Sequence, residues 1–436
     1  MRFDHSSLRS VSMYLSYLDS SSRLNRNMPP GVSPLYRVLR LFIVLLLTAC
    51  SAPTVTSPPT FVSTSPIGIA ATVTPTQAPA VVTLLPEESP PDGAGQFTTD
   101  FSRHTVSYSK ILSGGPPKDG IPAIDMPQFV SVADADTWLE SQEPVVLVQI
   151  GADVRAYPIQ ILMWHEIVND TVGSVPVVVT FCPLCNTAIV FDRRLEARVL
   201  DFGTTGRLRY SNLIMYDRQT ESWWQQATGG AIVGEFAGAQ LHFLPASIIA
   251  WGEFVGTYPN SKVLSRETGF DRDYGRNPYT GYDDVNQPPF LYTGPTTPDV
   301  LPATARVLTV DLGGEVVAYP YEVLAAANAV NDMVASQPIV VLWKPGMASA
   351  LDAATVAGGR DVGAAAAYSR VLDGRTLTFI RDGDRLVDSE TSSTWDVLGR
   401  AIDGPLTGAQ LEPIVAINHF WFSWAAFKPE TRIYQP

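Results

Sequence analysis

The chain has 436 residues, with 43 acidic against 30 basic side chains, and only three cysteines. A net charge of −13 excludes the basic footprint of a nucleic-acid-binding protein. Three cysteines exclude a disulfide scaffold and a four-cysteine zinc ribbon. Hydrophobic residues at 45% and charged residues at 17% give a globular balance, and the length allows two or three domains.

Arg37 and Arg40 precede an apolar run, Leu41 to Leu47, followed by Thr48, Ala49 and Cys50. The run is shorter than the ~20 residues that span a bilayer and has the layout of a signal peptide. A cysteine straight after Leu-Thr-Ala resembles the lipobox of bacterial lipoproteins. That resemblance implies lipidation of Cys50, loss of residues 1–49, and an extracytoplasmic protein held to the membrane by its lipid. A plain signal peptide and a buried helix are the alternative readings. Met28 is a candidate start site. Cleavage before Cys50 removes six arginines and two aspartates, leaving a more acidic chain.

Ser51 to Leu85 holds no charged residue and is dominated by Pro, Thr, Ser, Val and Ala. Such a stretch buries too little apolar surface to offset the entropy of ordering it. A tether is predicted over residues 50–99.

The remainder reads as a duplication. Val145–Ile189 aligns without gaps on Val307–Leu351, with eighteen of 45 positions identical. The shared frame includes Tyr157-Pro158 and Tyr319-Pro320, Asn169-Asp170 and Asn331-Asp332, and Pro183 and Pro345. Asp217, Thr220, Ser222 and Trp224 recur as Asp388, Thr391, Ser393 and Trp395, which favours a structural role for them. Each half predicts a Val-rich strand, a turn, and a helix opened by Pro158 that runs to about Val168. A buried strand, Val175–Phe181, follows, then several antiparallel strands and a late helix from near Pro245. The expected class is α+β: a first repeat over 100–264, a loop over 265–304 and a second, degenerate repeat over 305–436.

A duplication supplies its own control, because chemically capable residues kept in one copy alone are site candidates. The first half carries His165, Glu166, Cys182 and Cys185; the second has Ala327, Asn328, Lys344 and Met347 there. Two thiolates and an imidazole suit copper or zinc, which makes His165, Cys182 and Cys185 candidate metal ligands. Glu166 is then a candidate general base on bound water. The same C-x-x-C pair can instead cycle as a thiol–disulfide oxidoreductase. A third reading is an inert disulfide in a non-catalytic ligand-binding protein. Its ligand would lie under the 265–304 loop, where Arg266 and Tyr274 are the candidate contacts.

Ala156-Tyr157-Pro158, His165-Glu166-Ile167-Val168-Asn169-Asp170 and Phe181-Cys182-Pro183-Leu184-Cys185 together resemble the domain-of-unknown-function family numbered 3179, found in bacteria and archaea. Asp217-Arg218-Gln219-Thr220, Ser265-Arg266-Glu267-Thr268-Gly269 and Phe420-Trp421-Phe422 resemble further motifs of that family. The similarity spans roughly Gly114 to Pro436. It implies membership and an exported or membrane-associated setting, and it implies no activity.

Overall fold

The computed structural model describes residues 83–297 and 300–436. The signal peptide and the lipidation expected at Cys50 lie outside the described residues. No helix among the described residues is long and apolar enough to cross a membrane.

The first half is built on the hairpin Pro144–Ile150 and Asp153–Pro158, in register from Val145↔Pro158 to Ile150↔Asp153. Ser247–Ala250 adds antiparallel on one side, and Lys262–Leu264 adds in parallel on the other. The second half repeats this arrangement around Arg306–Leu312 and Glu315–Pro320, paired from Val307↔Pro320. Ala416–Phe420 adds antiparallel there and Arg432–Ile433 in parallel.

A second sheet in the first half holds Ile167–Val172, Val175–Cys182, Thr187–Asp192 and His242–Leu244. Its counterpart holds Ala329–Val334, Gln337–Lys344 and Ala364–Ser369. A third sheet runs through Phe202–Arg209, Asn212–Asp217, Trp223–Gln225 and Gly230–Val233. One apolar core extends through both halves, joining Val146, Phe181 and Trp251 to Val340, Leu342 and Phe420.

Of the described residues 40% are strand and 11% helix, in mixed and antiparallel sheets, so the fold is mostly β and not clearly the expected α+β. The reason lies at the helix ends. The helix opened by Pro158 covers only Ile159–His165, because Glu166 takes a left-handed φ of 58°. The β-branched Ile167 and Val168 then begin a strand, where such side chains pack well. The late helix is shortened at its start instead: Ser247–Ala250 is strand and only Trp251–Thr257 is helical. Ordered chain also begins before residue 100. Phe97 is buried against Tyr216 and Trp223, with ring centroids 5.4 and 5.0 Å away.

The recurrent Asp, Thr and Trp form the same hairpin clasp twice. Asp217 accepts from Thr220 N at 2.7 Å and from Trp224 Nε1 at 2.9 Å. Asp388 accepts from Thr391 N at 2.6 Å and from Trp395 Nε1 at 2.9 Å. Both carboxylates are fully buried. Asp217→Ala leaves a buried indole N–H and an amide unpaired, so urea unfolding is expected to show a loss of about 2–4 kcal/mol. An unchanged midpoint would contradict a structural role for the clasp.

Candidate functional site

Strand Val175–Cys182 is buried from Val177 onward, apolar except for Thr180, and ends at Cys182. Pro183 opens the single 3-10 turn Pro183–Cys185, where its missing N–H costs nothing. Residues three apart eclipse in a 3-10 turn, which places Cys182 and Cys185 on one side. Their Sγ atoms lie 2.9 Å apart as free thiols, both buried.

The facing wall is the tight turn at Tyr210 and Ser211, joining Phe202–Arg209 to Asn212–Asp217. Both turn residues have positive φ, 55° and 67°, although neither is glycine. Backbone strain of this kind collects at functional sites. The turn brings Ser211 O to 3.4 Å from Cys185 Sγ, and Asn212 Nδ2 donates to the same sulfur at 3.3 Å. Asn212 is itself fixed, donating to Gln226 Oε1 at 2.8 Å and accepting from Gln225 Nε2 at 2.5 Å.

Glu166 is the second strained residue. Its counterpart Asn328 shares the left-handed geometry, with φ of 61° against 58°. Asparagine tolerates that region better than glutamate does. The Glu166 side chain is buried, and among the described residues nothing hydrogen-bonds its carboxyl. Burial alone pushes its pKa up to about 8. The Cys182 thiol is raised well above its usual value, first by burial, then by Cys185 and by the charge of Glu166.

His165 has other partners. Nδ1 lies 2.7 Å from Pro122 O and Nε2 lies 2.6 Å from the Tyr274 hydroxyl. A carbonyl only accepts, so Nδ1 carries the proton and Nε2 accepts from Tyr274. Burial, with the nearby Arg272, lowers the imidazole to about 4 and keeps it neutral. The structure thus joins Cys182 to Cys185 and gives both His165 nitrogens to different groups. Among the described residues no three His, Cys, Asp or Glu side chains are grouped to hold a metal ion.

Arg266 and Tyr274, the two expected ligand contacts, are tied to the first half. Arg266 donates to Gln160 Oε1 at 2.5 and 3.1 Å and lies over the Trp138 ring. Tyr274 holds His165 and also meets Thr268 Oγ1 at 2.6 Å. Farther along, Tyr282 accepts from Phe290 N at 3.3 Å, and the Ser211 hydroxyl donates to Phe290 O. The two cysteines add to the burial that raises the Tyr282 phenol. Asp283 pairs with Arg306 at 2.8 Å and Arg360 at 2.9 Å in the second half. Residues 265–297 therefore form a strap, fastened at several points and passing beside the dithiol.

The sequence reading did not single out Ser211, Asn212 or Tyr282 for the site. Asn212 and Ser211 reach the sulfurs through sheet pairing, which leaves no local signal. Tyr282 was visible only as part of an aromatic-rich loop.

A buried dithiol in a duplicated, mostly β protein defines the class of site. The family model described as Protein of unknown function (DUF3179) matches residues 118–431, and the chain belongs to that family. No curated protein and no solved structure matches it.

Glu166 makes stability depend on pH. Unfolded, a glutamate titrates near ~4.3; folded, it titrates at about 8. Between those values the folded chain binds the extra proton, so stability falls as pH rises, by at most roughly 1.4 kcal/mol per pH unit. Glu166→Gln is expected to flatten that fall in urea unfolding between about pH 5 and pH 8, and to be more stable than wild type at the upper end. An undiminished slope in the variant would contradict a buried, unpaired carboxyl.

Proposed function

We propose that Cys182 and Cys185 form a thiol–disulfide redox couple, with Glu166 taking the proton that Cys182 releases. The carrying observation is the 2.9 Å contact between the two sulfurs while both His165 nitrogens are engaged elsewhere. In the forward direction the Cys182 thiolate attacks a partner disulfide and forms a mixed disulfide. The Cys185 thiolate then displaces the partner's sulfur. One Cys182–Cys185 bond forms, the partner's S–S bond breaks, and the two protons pass to the partner's thiols. A carboxyl near pKa 8 can accept a thiol proton and return it at neutral pH. The setting belongs to the same reading: an extracytoplasmic lipoprotein, anchored through Cys50, in a compartment where disulfides persist.

A second reading is a copper or zinc centre. Among the described residues no Lys or Arg hydrogen-bonds either sulfur or the Glu166 carboxyl. A soft cation could replace the protons on the two thiols. His165 could join as a third ligand only by giving up Tyr274. The inert disulfide in a binding protein is a weaker form of the first reading, distinguished by a couple that never reduces.

Redox titration of the purified chain decides between these readings. The proposal expects one two-electron couple between roughly −120 and −270 mV, lost in Cys182→Ser. A pair that stays reduced, or stays oxidised, throughout that window overturns it. One equivalent of copper or zinc that disappears in Cys182→Ser would favour the metal centre instead. For the anchor, labelled fatty acid is expected on the wild-type chain and absent from Cys50→Ser; equal labelling would contradict lipidation there.

A further inference from the structure

A cleft of about 890 Å³ lies between the halves, away from the strap. Its walls are mainly apolar: Leu241 and Phe243 from the first half, and Ile414, Ile417, Trp424 and Phe427 from the second. That volume is the size of a small-molecule site, and junctions between domains are where such sites collect. The rim is acidic. Lys428 is paired with Asp311 at 2.8 Å, which leaves Glu412 as an unpaired rim charge among the described residues.

The interior beside the cleft also lacks a hydrogen-bond donor. His419 is fully buried and follows the cleft-lining Ile417 on the same face of strand Ala416–Phe420. Its ring lies 4.8 Å from that of Trp424, another cleft-lining side chain. Its Nδ1 lies 2.9 Å from Thr187 Oγ1, and the Thr187 hydroxyl donates to Cys185 O at 3.0 Å. Threonine has one hydroxyl proton, so both bonds form together only when Nδ1 carries the histidine's proton. Nε2 is then a bare acceptor, and it has no partner among the described residues. Burial holds the ring neutral, lowering it to about 3. An unsatisfied buried acceptor costs about 1–3 kcal/mol, and a ligand's N–H or O–H could remove that cost.

From the apolar walls, the acidic rim and the unsatisfied His419 acceptor, we propose that this cleft binds an apolar small molecule with a cationic, hydrogen-bond-donating end. The inference is independent of the dithiol reading, because the cleft walls contain neither cysteine. It also gives the degenerate second half a role: having lost the reactive groups, it supplies one wall and the acceptor.

Fluorescence of N-phenyl-1-naphthylamine with the purified full-length chain tests the proposal. One saturable site is expected, competed by dodecylammonium, whose N–H groups can donate, about tenfold more tightly than by dodecyl sulfate, a difference of ~1.4 kcal/mol. Both competitors are kept below their micelle thresholds. Phe243→Asp and Ile414→Asp, at partly buried positions, should abolish probe binding while Cys182→Ser leaves it intact. His419→Phe should keep the probe and lose the preference for the cation. Uptake that does not saturate, binding retained in both aspartate variants, or a preference for dodecyl sulfate overturns the proposal. Preference for the cation retained in His419→Phe removes the histidine from it.

Discussion

Two thiols are packed together out of water, and among the described residues no Lys or Arg is hydrogen-bonded to them. Much of the architecture around the site follows from that constraint. Out of water, each group resists losing its proton, because charge is costly in a low dielectric. The surroundings therefore supply neutral polar contacts: the Asn212 amide and the Ser211 carbonyl on Cys185. Glu166, Tyr210 and Ser211 are non-glycine residues at positive φ around the site, and the Glu166 turn recurs without the thiols at Asn328. A second copy of the fold, without the thiols, keeps the Asn328 turn in the residue type that suits it.

The strap solves the same problem from outside. Its bonds reach the first half through Gln160 and His165 and the second through Arg306 and Arg360. Between those attachments Tyr282 and Phe290 meet the Ser211 turn. His165 is thus a positioning residue for the cover. A neutral imidazole accepts the Tyr274 hydroxyl, and a protonated one cannot.

The sequence located the chemistry better than the geometry. Comparing the halves picked out His165, Glu166, Cys182 and Cys185 because loss against a preserved frame is a local, countable signal. It could not say which of the four face one another. His165 and Glu166 are adjacent, yet the left-handed turn at Glu166 sends them to different neighbours. The same turn upset the class: a helix period was extended through Ile167 and Val168, which instead begin a strand. Ser211, Asn212 and His419 were out of reach because their contacts are set by long-range sheet pairing and by the packing of one half on the other.

In the native chain the dithiol lies buried beside the strap. Site-resolved mass spectrometry of the reduced chain after brief treatment with iodoacetamide tests it most directly. Cys182 and Cys185 should stay unlabelled in the native chain, label fully in denaturant, and label faster in Asp283→Asn, which weakens the strap's attachment to the second half. Native labelling as fast as in denaturant, or labelling indifferent to the loss of Asp283, would contradict it.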